Sequence, residues 1–474
     1  MDWIEETGWE SWLGTGGLIA LAVVAVVALL VMVIVLKLHA FLSLISVSAL
    51  TALVAGVPPA HLVDTLVSGF GTTLGNVALL VAIGAMLGVL VETSGGARAL
   101  AEKMISIFGE RRAPFALGVA SLFIGFPIFM DAGFVLMIPI VYAIARRLDM
   151  NLLSFGIPVA AALSVMHVFL PPHPGPVAAT AFVEANLGYV MIIGLVLAFP
   201  IWFISGHVWG RYASARNIVG VPASAFATGS GSSGGAAGDD VENPPSPGLV
   251  ILLLILPLIL ILLNTGFDAL GTAGIVDGEA GWVQALRMLG ATPVALLITV
   301  LFAIVALGLR RGKDGTAIER TVDGALGPVS SVILITGAGG MFGGVLRATG
   351  IGDAIASSLE SVGVPLILAA YIIACAIRVA QGSATVALTT AAALIAPAVL
   401  ASDMNAMQVA CVVLALAAGS VIAGHVNDSG FWLVSRLLGM DVKTTLKVWT
   451  VQQTIESIVG FALVLVVFGI ASIF

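Results

Sequence analysis

Four short segments hold most of the residues in this chain that could do chemistry inside an apolar setting. They read Gly125-Phe-Pro-Ile-Phe-Met-Asp-Ala-Gly133, His167-Val-Phe-Leu-Pro-Pro-His-Pro-Gly-Pro176, Arg378-Val-Ala-Gln-Gly-Ser-Ala-Thr385 and His425-Val-Asn-Asp-Ser-Gly430. Each sets Gly or Pro beside an ionisable or hydrogen-bonding side chain. Pro and Gly interrupt helical hydrogen bonding and leave N–H and C=O groups free. At membrane depth such backbone is tolerated only where it lines a cavity or is buried in protein. The half-helix N-termini it creates turn partial positive charge inward, which suits an anion. An ionisable side chain at that depth costs several kcal/mol and marks a binding site or a proton path.

The chemistry these types allow is anion binding with proton exchange. Arg378 can hold a carboxylate bidentately. Gln381, Ser383, Thr385, Asn427, Ser429 and His173 suit recognition of hydroxyls, with Gly133 at the same lining. Asp131, Asp428 and His173 can take up and release a proton; protonating a buried carboxylate removes the cost of desolvating its charge. Plainer roles compete with these. Asp131 could cap a hairpin tip, Arg378 could pair with a buried carboxylate, and the amides and hydroxyls could serve only the broken backbone. His167 and His425 fit hydrogen-bonded histidines of a bundle, and Glu92, His61 and Glu184 fall near span ends as interfacial residues. No H-E-x-x-H or G-x-S-x-G sequence supports hydrolysis. His167 and His173 are six apart, a poor spacing for one metal, and Cys375 and Cys411 sit in apolar stretches, so neither metal nor cofactor is expected.

The elements that must position these residues follow from composition. Of 474 residues 59% are hydrophobic and 9% charged, with a mean hydropathy of +1.14. A soluble chain is about 25% charged, so a soluble enzyme is excluded. A net charge of −7 with no basic face excludes a nucleic-acid binder. The chain reads as an all-α polytopic membrane protein. A helix crosses the bilayer core in about 20 apolar residues. Spans are expected at 17–36, 38–56, 72–91, 155–176, 188–209, 248–264, 291–309, 325–346, 407–434 and 450–472. Two stretches, 113–145 and 364–400, are longer than one span and interrupted at their centres, which reads as re-entrant hairpins. With the N-terminus outside, this layout puts sixteen of the nineteen Lys and Arg on the inner side, leaving Arg287 and Arg347 outside and Arg378 in a hairpin. That is the bias of a cytoplasmic face. The Gly- and Ser-rich stretch 217–247 reads as a cytoplasmic linker between two halves, with both termini outside.

The halves resemble each other. A shift of 255 pairs Gly69 with Gly324, Gly84 with Gly339, Gly88 with Gly343 and His173 with Asp428, and Asp149-Met-Asn151 recurs as Asp403-Met-Asn405. Residues 1–216 form one repeat and 248–474 the second, each with five spans and one hairpin. Because five is odd, the second copy must be inverted, an arrangement with broken helices at the midplane that suits secondary transporters. Gly84/Gly88 and Gly339/Gly343 are small-xxx-small pairs fit for close helix packing.

The segments Gly125–Phe134, Leu170–Pro176, Gln381–Ala387 and His425–Trp432, with Ser94-Gly-Gly-Ala97 and Ala145-Arg-Arg147, resemble signature stretches of the gluconate permease (gluconate:proton symporter) family. The resemblance covers nearly the whole chain and implies an inner-membrane, proton-coupled carrier of gluconate or a related sugar acid, within a superfamily of dimeric transporters. Relatives carrying other hydroxy acids or D-serine leave the substrate open. The long linker and the acidic N-terminal extension depart from the family's compact pattern. A sodium-coupled carrier and an anion channel remain the competing readings.

Overall fold

The computed structural model describes residues 2–220, 244–272, 275–362 and 364–473; most of the expected linker lies outside the described residues. Among the described residues every regular element is helical. The N-terminal part holds α1 (Asp2–Thr7), α2 (Thr15–Leu30), α3 (Ala40–Val54), α4 (Pro59–Thr93) and α5 (Gly96–Phe108). Next come α6 (Ala113–Ile124), α7 (Met130–Arg147), α8 (Leu153–Phe169) and α9 (Pro174–Phe182). Helix α10 (Leu187–Trp202) runs through a π-helical turn into α11 (Trp209–Arg216). Beyond the linker lie α12 (Pro247–Thr272), α13 (Gly281–Gly290), α14 (Thr292–Ala303), α15 (Gly315–Gly324), α16 (Leu326–Ala348) and α17 (Ile351–Val362). The C-terminal part holds α18 (Leu366–Gln381), α19 (Ala384–Leu400), α20 (Ala406–Val421), α21 (Ser429–Leu437), α22 (Val442–Thr445) and α23 (Val451–Ala471).

Seven stretches among the described residues are helical, long and apolar enough to cross a bilayer. They differ in burial. The most apolar window of Leu153–Phe182 is 89% buried, against 33% in Pro247–Asp268 and in Val442–Ala471. So α8 and α9 lie in the centre, while α12 and much of α23 turn apolar surface outward, as lipid contact requires.

The stretches 113–145 and 364–400 are each two helices meeting at a break. Helix α6 stops before Pro127, which has no N–H to donate and forces the preceding residue out of the helical region. Helix α18 stops at Gly382, whose φ of +95° is left-handed and whose N–H closes on the Arg378 carbonyl at 2.9 Å. The spans expected at 155–176 and 407–434 are likewise broken, after Phe169 and after Val421. Both second pieces, α9 and α21, are nine residues long.

Sequence reading by mean hydropathy missed the short amphipathic helices. Helix α5 buries Ala97, Leu100, Ala101, Met104 and Ile105 and exposes Arg98, Glu102 and Lys103, a helical stripe too narrow to register as a span. Helices α13, α15 and α17 likewise connect apolar helices.

Gly84, Gly88 and Gly343 pack closely, whereas a Cβ on Gly339 would make only ordinary contact, 3.6 Å from Phe182. A Cβ on Gly69 would lie 2.7 Å from the Gly340 carbonyl oxygen, and one on Gly340 would fall 1.9 Å from Thr73 Oγ1, so α4 and α16 cross backbone against backbone. On the same face of α4, a Cβ on Gly88 would sit 2.5 Å from the Pro127 carbonyl oxygen, and one on Gly84 would sit 3.1 Å from Pro172. Helix α4 thus bears directly on two of the four breaks.

Candidate functional site

Three of the four breaks reach a cavity of about 390 Å³, which α8 meets ahead of the fourth; the volume is within the roughly 300–1,000 Å³ of small-molecule sites. Its wall includes Pro127–Ala132 at the α6–α7 break, Ser164 and His167 of α8, Arg378 and Ser383–Val386 at the α18–α19 break, Asp428–Gly430, and Gln453 of α23.

Arg378 is 1% exposed. Its Nη2 donates to Asp428 Oδ2 at 2.7 Å and to Gln453 Oε1 at 3.0 Å. The other ion pairs among the described residues have side chains a third or more exposed; this one is buried. Asp428 also caps α21, its Oδ1 accepting from Gly430 N at 3.0 Å. The cluster closes around Gly424, where a Cβ would lie 1.8 Å from Gln453 Oε1 and 2.5 Å from Arg378 Nη2. Thr450 Oγ1 holds that turn by donating to the Gly424 carbonyl at 2.6 Å. Two further donors of Arg378, Nε and Nη1, are buried without a partner among the described residues.

Asp131 lies in the first turn of α7 and on the cavity wall. No residue side chain caps that helix. The carboxylate therefore faces the cavity at a helix N-terminus, within electrostatic reach of Asp428.

A second chain of contacts ties the α6–α7 break to α19. His173 Nε2 meets the Gly125 carbonyl at 2.7 Å, His167 Nδ1 meets His173 Nδ1 at 3.2 Å, and His167 Nε2 meets Thr385 Oγ1 at 3.3 Å. A carbonyl only accepts, so His173 Nε2 carries the proton and, in a neutral ring, His173 Nδ1 accepts. His167 then donates from Nδ1, and its Nε2 accepts from the Thr385 hydroxyl. With its proton committed, Thr385 offers lone pairs to the cavity, which suits a ligand hydroxyl. Phe129 packs on both rings, with centroids 5.7 and 5.6 Å away.

Arg378, Ser383, Thr385, Ser429, Asp131 and Asp428 therefore lie at the cavity. The other expected residues are not on its wall. His173 is 2% exposed and holds the Gly125 carbonyl. Gln381 Oε1 accepts from Ser383 N at 3.3 Å, and Asn427 Nδ2 donates to the Val379 carbonyl at 3.0 Å. These three satisfy backbone freed by the breaks, the plainer role open to them from sequence. Gly133 is a packing position, since a Cβ there would lie 2.9 Å from Leu163. His425 bonds to the nearby Ala423 carbonyl.

Several wall residues were not selected from sequence. Ser164 and Gln453 lie in helices of high mean hydropathy. Glu92, expected to be interfacial, lies on the wall at the C-terminal end of α4. His167, set down as a bundle histidine, lines the cavity while His173 does not.

The family model for GntP family permeases matches residues 17–470. The chain belongs to the GntP permease family. Its relatives include "Inner membrane permease YgbN" of Escherichia coli K12, 36% identical over 412 residues, covering 86% of this chain and 89% of the relative. "Gluconate permease" of Pseudomonas aeruginosa PAO1 is 37% identical over 415 residues, covering 87% and 89%. Among solved structures, the Alcanivorax borkumensis YdaH transporter superposes with a TM-score of 0.61 at 15% identity, covering 87% of this chain and 89% of that one. MtrF of Neisseria gonorrhoeae gives 0.58 at 15% identity, covering 90% and 93%. At that identity the likeness is one of fold. This GntP permease is a helical, multi-pass membrane protein of a transporter family.

Proposed function

We propose that this GntP permease takes up gluconate or a related sugar acid with a proton, by alternating access. One observation carries the reading: a buried arginine at the cavity has one nitrogen held by Asp428 and Gln453 and two donors without a partner among the described residues. A fully satisfied arginine would be a structural strut; a partly satisfied one on a cavity wall is an anion site in waiting. The relatives named gluconate permeases point to a polyhydroxy carboxylate. Ser383, Thr385 and Ser429 supply hydroxyl contacts around the same cavity. Asp131, Asp428 and Glu92 are the carboxylates on the cavity wall, and Asp131 or Asp428 carries the coupled proton in this reading.

The transporter works in this reading as two inverted repeats, 1–216 and 248–474, in a homodimer in the inner membrane, with the linker cytoplasmic and both termini outside. The shared lengths of α9 and α21, and of Leu187–Arg216 and Val442–Ala471 at 30 residues each, support the repeat. Proteoliposomes loaded at alkaline pH test the function. An inward proton gradient drives gluconate accumulation, Asp131→Asn diminishes it, and a sodium gradient at fixed pH drives none. Uptake that follows sodium alone, or that prefers D-serine over every sugar acid, refutes the proposal.

A further inference from the structure

Glu456 of α23 is fully buried, and among the described residues it has no Lys, Arg or His within ion-pair distance. Its Oε1 accepts from Ser164 Oγ at 3.0 Å and its Oε2 from Gln452 Nε2 at 2.8 Å. Two neutral donors do not offset a buried charge, which is costly to leave uncompensated. Gln452 can serve either state. Its amide donates to a carboxylate and, turned over, accepts from an acid; its own carbonyl is buried without a partner.

The carboxyl also has a route to the cavity. Ser164 lines the cavity wall, so its hydroxyl stands between the cavity and Oε1. Three residues earlier on α23, Gln453 holds Arg378, and the Arg378 guanidinium lies within electrostatic reach of Glu456 without pairing to it. The remaining titratable neighbours are few. Helix α8 brings His167, engaged with His173 and Thr385. Helix α18 brings Tyr371, held on Ser457 at 3.0 Å, and Cys375. Helices α20 and α10 bring only Cys411 and Tyr189, and the turn 203–208 brings His207, packed against Phe115 and Phe203. Beyond Arg378 stands Asp428.

We propose that Glu456 is a proton-binding site of this transporter, loaded through Ser164 and coupled to the substrate anion through Arg378. This rests on the proton-coupled reading above and adds the site that stores the proton. On loading, a proton from the cavity joins Ser164 Oγ while the serine's own proton passes to Glu456 Oε1, and release is the reverse. The Arg378–Asp428 pair is neutral, so a substrate anion and an ionised Glu456 compete for the one guanidinium. Each then weakens the other reciprocally, by roughly 5- to 150-fold in a typical coupling.

Gluconate affinity of purified protein, measured across pH, tests this. In the wild type it falls as pH rises. Glu456→Gln, fixed in the uncharged form, gives a flat profile and binds more tightly than wild type at alkaline pH. A structural role for Glu456 gives no such gain. A variant profile that still falls with pH overturns the inference. If Asp131→Asn flattens the profile and Glu456→Gln does not, the proton sits at Asp131, and the coupling reading survives without this site. A pH-independent wild type overturns both, and sodium-dependent affinity abolished by Glu456→Gln puts the other cation there. Infrared difference spectra on gluconate addition cover failure of the Gln variant to fold. The wild type gains a protonated-carboxyl band that shifts in Glu456→Asp, and an unshifted band overturns the inference.

Discussion

Arg378→Lys separates the anchor from the strut. The change keeps the charge but leaves one nitrogen where the guanidinium has three. In the wild type Nη2 alone meets Asp428 and Gln453, while Nε and Nη1 are unused. The lysine nitrogen is claimed by Asp428, so the buried carboxylate keeps its counter-charge and folding is nearly preserved, while nothing is left for a substrate carboxylate. A charged hydrogen bond is worth about 1.5–3 kcal/mol, so gluconate affinity falls roughly 10- to 150-fold. Arg378→Gln leaves Asp428 unpaired in a buried place, which costs about 3–5 kcal/mol and lowers the unfolding temperature as well. Binding calorimetry and thermal unfolding on monodisperse, detergent-purified protein report the two quantities separately. Arg378→Lys protein that unfolds normally and binds gluconate with wild-type affinity refutes the assignment of the unused donors to the substrate.

Gly424→Ala forces a Cβ into the space shared by Gln453, Arg378 and Asp428. We expect a loss of thermal stability of about 2 kcal/mol or more, of the order of an overpacked site, with weaker gluconate binding; a neutral result in both assays contradicts the geometry. Thr385→Val leaves His167 Nε2 without its donor, at a cost of about 1–3 kcal/mol, and removes a cavity acceptor. Thr385→Ser restores both stability and affinity, and failure of that rescue dismisses the proposed proton order. Cysteines introduced at Thr7 and Thr316 test the topology, since only the first should react with an impermeant reagent on intact cells, and equal labelling sinks the inverted layout.

The breaks were legible because Gly and Pro act locally: Pro127 lies just past the end of α6 and Gly382 closes α18 in a left-handed conformation. Asp131, Arg378 and Asp428 were legible because a charge in an apolar stretch is conspicuous. What each side chain does there was not legible, since it depends on which backbone groups another element leaves unpaired. His173 and Asn427 went to the carbonyls of Gly125 and Val379, on hairpins far away in sequence. Glu456 did leave a signal. Gln452, Gln453, Glu456 and Ser457 fall at the spacing of one helix face, a polar stripe concealed by the high mean hydropathy of the span.

The crossing of α4 and α16 bears on how the molecule can move. Side chains in contact can exchange rotamers and slide by small steps; the Gly69–Gly340 contact offers no rotamers at all. Such a junction behaves as a pin, intact or broken, with nothing between. Since α4 also bears on the first hairpin at Gly88 and Pro127, a substitution of either glycine would jam the mechanism far from any residue that touches the cargo. Screens for lost transport should therefore yield folded, membrane-inserted variants here, with binding intact and turnover gone.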